Sequence, residues 1–344
     1  MRSLIVKKPN QLELDYDAPM PIMMEYDALV KNECCIICNG TDNEILTGKL
    51  AEAQKYPLML GHESAGYIVQ RGSKVRNYSV GDLVTRSIVR ENQKYYSNWG
   101  AFSDYGIVTD YNAMIEDGFS DAQKYTIGLM QCVFPQGITA EEAAITITLK
   151  EVYSAFERMG ITRGDRLLIC GDGPVAICML AVSQFFGVTE FNVLGQNPMT
   201  LDVLRRNGAS RTLSMFQEKD MIELVNLEKQ MHHYIDTIGK EETIHQGMRF
   251  LQTDGQITVY GLHTEKRIFI PLDGMRNWAL RFMQFPIHSK EGRTHQIICD
   301  AVLNGFLKPK DIISHRFSIE EYRKGFEVIR DKKAIKVALF FDTK

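Results

Sequence analysis

The alternation of apolar and helical segments between residues 166 and 260 constrains the fold of this chain more than any other feature. An apolar strand candidate at 166–170 runs directly into Gly171-Asp172-Gly173-Pro174, and a helical segment then continues to Gly187. Further strands are predicted at 191–194, 234–235 and 257–260, with a helix at 198–207 between the first two. Strands that alternate with helices indicate an α/β fold with a doubly wound parallel sheet. A strand, a glycine turn and a helix start in this order form a binding site for a dinucleotide pyrophosphate.

A different pattern fills the residues before about Ala140. Short β-prone runs bounded by turn glycines predict a mostly antiparallel β domain whose loops can carry a site. A chain of 344 residues is long for one core, so two domains are expected. Predicted helices at 294–304 and 319–330 and a strand at 336–340 return the chain to the first domain. The predicted domains are therefore 1–150 with 290–344, and 151–289.

Composition and charge exclude several classes of protein. The formal net charge of -3 provides no basic surface for nucleic acid or an anionic membrane. No apolar run approaches the length of a membrane span. The seven cysteines are an odd number, and three of them crowd at Cys34, Cys35 and Cys38, unlike a secreted disulfide framework. We expect a cytoplasmic protein whose partner is a small molecule and which binds neither nucleic acid nor membrane.

Two short segments contain side chains that bind zinc. Cys38 lies in the run Cys-Ile-Ile-Cys-Asn-Gly-Thr-Asp at 35–42, and His62 and Glu63 follow Gly61 about two dozen residues later. Thiolate, imidazole and carboxylate form the donor set of a catalytic zinc site that keeps one position open. A cysteine taken alone is more often a buried apolar residue, so this assignment depends on the pattern around it.

Together these motifs resemble the zinc-type members of the medium-chain dehydrogenase/reductase superfamily, the alcohol and polyol dehydrogenases. The resemblance spans nearly the whole chain and includes Gly81-Asp82-Leu83-Val84, Glu141-Glu142-Ala143-Ala144, Gly164-Asp165 and Arg205-Arg206-Asn207-Gly208-Ala209. It implies a Rossmann domain beside a GroES-like catalytic domain, in a homodimer or homotetramer. The implied activity is NAD(P)-dependent, zinc-assisted hydride transfer to or from a secondary alcohol. By analogy, the expected substrate is a polyol, sugar or cyclitol.

The resemblance also implies a role for each side chain near the metal. Cys38 and His62 correspond to the first two ligands of the catalytic zinc. Glu63 corresponds either to an outer carboxylate or to an exchangeable direct ligand. Asp42 resembles the aspartate that orients the zinc histidine through its other ring nitrogen.

One departure from the family concerns the acidic ligand, whose position falls on Ile147. This side chain cannot bind metal, which leaves three alternatives. The zinc rests on the three donors above and water, or it borrows Glu151 or Cys132, or it has been lost; we expect zinc to be retained. A structural zinc is not expected, because no cysteine lies between Asp82 and Gly100.

A second departure concerns proton transfer. The segment has one more residue between Cys38 and Thr41 than the family has before its relay hydroxyl. Thr41 is nevertheless the candidate that passes the alcohol proton toward solvent. Glu44 stands where relatives often place a relay histidine, and it either completes the relay or is a solvated loop glutamate.

The glycine turn supplies the predicted coenzyme contacts. Gly171 permits the tight turn, Gly173 lets the backbone approach the pyrophosphate, and Pro174 and Val175 open the helix. Ala176 takes the place of the third glycine and is still small enough for close packing.

The end of the second strand bears on the choice of coenzyme. An NAD site has an acidic residue there for the ribose hydroxyls, whereas this chain has Gly195, followed by Gln196 and Asn197. Loss of the carboxylate removes repulsion against a 2'-phosphate, so NADP(H) is predicted over NAD(H). Two other functions stay open: a zinc-free reductase of the same superfamily acting on an activated double bond or quinone, and a nucleotide-binding protein without catalysis.

Overall fold

The computed structural model describes residues 1–51, 53–214, 217–262, 267–270 and 277–341. They form two compact units, Met1–Lys150 with Ile287–Lys344, and Glu151–Pro286. The domain boundaries predicted from the sequence lie at residues 150 and 290. The catalytic and coenzyme-binding functions assigned to the two domains stay predictions. Within the described residues, no helix combines the length and apolar character needed to cross a membrane.

The strands of the described chain are numbered in chain order as β1 Ser3–Lys8, β2 Gln11–Asp15, β3 Asp27–Ile37, β4 Leu58–Met59, β5 Ser64–Arg71, β6 Leu83–Thr85, β7 Tyr96–Ser97, β8 Tyr105–Thr109, β9 Arg166–Cys170, β10 Glu190–Gly195, β11 Arg211–Ser214, β12 Met231–Asp236, β13 Leu251–Val259, β14 Trp278–Phe282, β15 Ile313–Ser318 and β16 Lys336–Phe340. The α-helices are α1 Thr41–Leu46, α2 Tyr111–Glu116, α3 Ala140–Met159, α4 Pro174–Ser183, α5 Pro198–Arg206, α6 Glu218–Asn226, α7 Glu241–Phe250, α8 His288–Gly292, α9 His295–Leu303 and α10 Tyr322–Arg330. Short 3-10 helices lie at Ala122–Met130, Gln184–Phe186, Pro309–Ile312 and Ile319–Glu321.

The second unit contains a sheet in the order β11-β10-β9-β12-β13-β14, and every neighbouring pair in it is parallel. This is the strand order of a Rossmann fold, so the prediction of a doubly wound parallel sheet is confirmed. Local signals set the helix ends. Pro174 occupies the first turn of α4, and Gly187 ends the 3-10 extension in the left-handed conformation with φ 64°. The side chain of Asn197 caps α5 by accepting from the N–H of Met199.

The first unit contains two sheets, and the prediction of a mostly antiparallel β domain is confirmed. One sheet has the order β2-β1-β4-β7, and the other has the order β15-β16-β3-β5-β6 with β8 also paired to β3. Strand β3 is antiparallel to β5, β8 and β16, while β15 with β16 and β4 with β7 are parallel pairs.

Strand β3 is much longer than the short β-prone run that the sequence shows at 28–30. Polar residues interrupt its apolar pattern, but the fold accommodates them. Asn32 is buried, donates to the carbonyl of Ser103 and accepts from the hydroxyl of Ser87. The strand therefore continues through the buried, unpaired thiols of Cys34 and Cys35 and ends beside Cys38.

Candidate active site

The pairing of β3 with β5 brings the predicted metal ligands together. The two strands are antiparallel, and Cys35 of β3 lies opposite Ser64, the first residue of β5. The residues that follow β3 therefore lie beside those that precede β5. One donor atom from each of Cys38, His62 and Glu63 lies within 4.8 Å of the others. The strand register thus assembles a thiol, an imidazole and a carboxylate from two distant parts of the sequence.

Asp42 fixes the orientation of His62. Its fully buried carboxylate lies 3.1 Å from Nδ1 of His62 and accepts the backbone N–H of Cys38 at 2.8 Å. Because Nδ1 is engaged, Nε2 is the ring nitrogen left for a metal. Burial lowers the pKa of His62, but the charge and hydrogen bond of Asp42, assisted by Cys38, outweigh it and hold that pKa well above its usual value. The donor set therefore favours positive charge at this point, as a zinc site requires.

Glu63 forms a buried ion pair with Lys336. The Nζ of Lys336 lies 2.8 Å from both carboxylate oxygens, and the two side chains are only 2% and 3% exposed. The hydroxyl of Thr148 lies 3.4 Å from Oε2 of Glu63, and Nε2 of His62 lies 3.8 Å from its Oε1. A close cation offsets the cost of burying this carboxylate.

Cys38, His62 and Glu63 could hold a zinc ion, with Glu63 either as an outer carboxylate or as an exchangeable ligand. Cys38 and His62 present a sulfur and a nitrogen, while Glu63 lies within reach but is held by Lys336. Ile147 is fully buried in α3, and neither Glu151 nor Cys132 belongs to this group of donor atoms in the described part of the chain.

The predicted coenzyme loop lies at the end of β9. Gly171 has φ +112°, and a Cβ there would lie 2.1 Å from Oγ1 of Thr237, so only glycine fits. Gly173 is the N-cap of α4 and provides no side-chain hydrogen bond, which leaves the first amides of that helix for a phosphate. Val175 lies in the first turn behind Pro174.

The carboxylate of Asp172 lies at the end of β10, where Gly195 itself carries no side chain. Asp172 of the glycine turn accepts the N–H of Gln196 at 2.8 Å and that of Asn197 at 2.6 Å. The two predicted coenzyme segments, 171–175 and 195–197, are therefore in direct contact within the second unit.

Comparisons with known proteins point to one family. A family model described as the alcohol dehydrogenase GroES-like domain matches residues 24–119. The chain is 24% identical to the sorbitol dehydrogenase of Homo sapiens over 348 residues, which cover 99% of this chain and 96% of that one. It is 23% identical to D-arabinitol dehydrogenase 1 of Uromyces fabae, with 98% and 97% covered. The solved structure of zinc dependent alcohol dehydrogenase 2 from Streptococcus pneumonia shares the fold with a TM-score of 0.81, at 21% identity and 100% and 99% coverage.

Over almost its whole length the chain is similar to zinc-type medium-chain alcohol and polyol dehydrogenases. The predicted resemblance is therefore confirmed, and so is the predicted enzyme class, an oxidoreductase acting on CH-OH groups. Zinc and NAD(P) are the cofactors typical of this family.

In this dehydrogenase the two relay candidates lie on a helix, which corrects the reading of Glu44 as a loop residue. Thr41 is the first residue of α1, and Glu44 follows one turn later. The Oε2 atom of Glu44 is buried and has no hydrogen-bond partner among the described residues. An acidic residue in the first turn of a helix is favoured by the helix dipole.

Sequence reasoning missed two residues that shape the metal site of the dehydrogenase. Lys336 is buried at the first position of the otherwise apolar strand β16. A lysine directly before an apolar run is the sequence pattern that could have indicated a buried charge here. The ring of Trp99 lies 5.3 Å from that of His62, between centroids, and no pattern in the sequence links the two.

Proposed function

We propose that this dehydrogenase interconverts a secondary alcohol of a polyol, sugar or cyclitol with the corresponding ketone, using zinc and NAD(P). The cluster of Cys38, His62 and Glu63 is the observation that carries this proposal. The names of the relatives support the substrate class, because sorbitol and D-arabinitol are polyols. The L-threonine 3-dehydrogenase of Shewanella halifaxensis, 24% identical, also acts on a secondary alcohol by its name.

Each side chain near the metal then has a defined task. When bound, zinc supplies a Lewis acid for the alcohol oxygen, and the nicotinamide supplies the hydride acceptor or donor. Cys38 and Nε2 of His62 would hold the metal, and Asp42 keeps the imidazole in the tautomer that leaves Nε2 unprotonated. Thr41 and Glu44, one turn apart on α1, are proposed to move the proton between the alcohol oxygen and solvent.

The charges of the site match a divalent cation. Cys38 as thiolate, Asp42 and Glu63 carry three negative charges, and Lys336 carries one positive charge close to them. Two negative charges are left for the metal. We propose that Glu63 exchanges between Lys336 and the metal, in the role that an acidic residue at Ile147 would fill in relatives.

Zinc content and substrate preference test the proposal together. Protein purified without added metal should contain one zinc per chain, oxidise polyols and lose activity in chelator. The matched variants are Cys38→Ser, which should lose zinc, and Cys132→Ser, whose thiol is outside the donor group and which should keep it. A metal-free wild type that reduces quinones or activated double bonds in chelator would establish the rival reductase, which the buried Ile147 favours.

Three further features belong to the proposal. A homodimer or homotetramer is expected, and light scattering of the purified protein tests it. A single zinc per chain, with no structural zinc, is tested by the same metal assay.

The choice of coenzyme depends on the strand end at Gly195, where the missing side chain favours NADP(H) and the carboxylate of Asp172 favours NAD(H).

A further inference from the structure

The side chain of Asp172 fills the space that a side chain at position 195 would need. Strands β9 and β10 are parallel neighbours, with Cys170 opposite Leu194, so the residues after them leave the sheet side by side. A Cβ placed on Gly195 would lie 2.5 Å from Cβ of Asp172 and 2.6 Å from its Oδ2. Both distances are shorter than any real contact of a Cβ atom. Position 195 therefore has room only for glycine, because the side chain of Asp172 from the glycine turn occupies the space beside it.

The carboxylate of Asp172 is held firmly at this point. Its Oδ2 accepts two backbone N–H groups, from Gln196 and Asn197, at 2.8 and 2.6 Å. Two N–H donors on one oxygen fix the orientation of the side chain. The other oxygen, Oδ1, has no hydrogen bond to any described residue and can accept hydroxyl groups of a ligand.

Among the described residues, no lysine or arginine forms an ion pair with Asp172. Arg205 and Arg206 lie in the last turn of α5, far from its N-terminus, and both pair with Asp202 at 3.4 and 2.6 Å. Gln196 and Asn197 are neutral. A 2'-phosphate at the adenosine ribose would therefore meet a fixed carboxylate, and like charges brought together in this way are strongly unfavourable.

We propose that Asp172 selects the coenzyme and that the dehydrogenase prefers NAD(H). Its carboxylate binds the adenosine ribose hydroxyls from the glycine turn, a task that an acidic residue at the end of the second strand performs in NAD sites. The prediction of NADP(H) rested on the absence of a carboxylate at Gly195 and did not include Asp172. The inference rests on the proposed function only in assuming that a nicotinamide dinucleotide binds the second unit.

Direct binding measurements test this without substrate or turnover. We titrate the purified full chain with NADH and with NADPH, and follow coenzyme fluorescence. Wild-type protein should bind NADH at least about tenfold more tightly, which corresponds to about 1.4 kcal/mol. Asp172→Asn keeps the shape and an acceptor for both N–H groups but removes the charge. It should shift the ratio of the two dissociation constants toward NADPH by at least about tenfold. The control Asp202→Asn lies on α5, where the carboxylate pairs with Arg205 and Arg206, and it should leave the ratio unchanged.

Variants that move the carboxylate from residue 172 to residue 195 at the end of β10 test the inference independently, through the melting temperature and the coenzyme preference. Gly195→Asp alone should lower the melting temperature, because its Cβ would collide with Asp172. Asp172→Gly with Gly195→Asp should recover both the melting temperature and the preference for NADH. Tighter binding of NADPH by the wild type, or an unchanged ratio in a folded Asp172→Asn variant, would overturn the inference. Absence of binding of either coenzyme would overturn it as well, whereas NADH binding without zinc or turnover would overturn the proposed function alone.

Discussion

Replacing Lys336 by methionine removes the cation that faces the buried carboxylate of Glu63 and keeps an unbranched side chain of similar length. Both carboxylate oxygens lie 2.8 Å from Nζ, and Glu63 is 3% exposed, so water cannot replace the ammonium group without opening the site. Breaking a buried pair by removing one partner costs about 3–5 kcal/mol, because the remaining charge is uncompensated. The metal-free Lys336→Met variant should lose this much of its free energy of unfolding.

Zinc should rescue the variant in part. In Lys336→Met the carboxylate of Glu63 is released to become a direct ligand, so the metal becomes the cation that offsets its charge. A ligand that binds the native state more tightly stabilises that state more. The free energy of unfolding of the variant should therefore rise more on zinc addition than that of the wild type, and its zinc affinity should be higher.

Urea unfolding with and without chelator, together with a competition assay for zinc, measures both effects. Lys333→Met is the matched control, since that lysine is 72% exposed and should change stability by less than about 0.5 kcal/mol. Adding Glu63→Gln to Lys336→Met removes both charges and should recover most of the loss. An apo variant as stable as wild type, weaker zinc binding by the variant, or a double variant no better than the single one would refute this reasoning.

Three other predictions concern the metal site and the dependence of stability on pH. Cys38→Ser should abolish stoichiometric zinc binding, measured by elemental analysis, whereas Cys132→Ser should retain it. Asp42→Asn should weaken zinc binding by about 10–100-fold while the fold is kept, because the imidazole loses its orienting carboxylate. Burial, with the charge of Lys150, lowers the pKa of His295 to about 4. The unfolded state therefore takes up the proton first, and stability should fall as the pH drops from about 6.5 toward 4. His295→Gln should reduce that slope in urea unfolding, and an unchanged slope would contradict the assignment.

Local rules in the sequence account for most of the second unit. Pro174 at the start of α4, Gly187 after its end and the Asn197 cap of α5 act within a few residues, so the succession β9, α4, β10 and α5 could be predicted directly. The roles of Cys38, His62 and Asp42 were predicted from the resemblance of their motifs to the family, not from local rules. Their spacing in the chain reflects one strand pair, β3 with β5.

Contacts between distant residues explain what was missed. Lys336 lies 273 residues from Glu63, and no residue pattern near Glu63 in the sequence indicates that a lysine will pair with it. Asp172 and Gln196 are 24 residues apart, so a reading of position 195 alone finds no carboxylate. In both cases the pairing of strands decides which side chains meet, and single-sequence patterns do not contain that pairing.

The ion pair of Glu63 with Lys336 has a consequence for how the protein is made. Chains are synthesised at about 5–20 residues per second, so the 273 residues between the two take roughly 14–55 s to emerge. During that interval the rest of the segment up to Lys150 and then the whole second unit are produced, and Glu63 lacks its partner Lys336. Until β16 has been synthesised, the carboxylate of Glu63 must therefore stay in contact with water or pair with another cation. The residues of the second unit are therefore made between the two members of this ion pair.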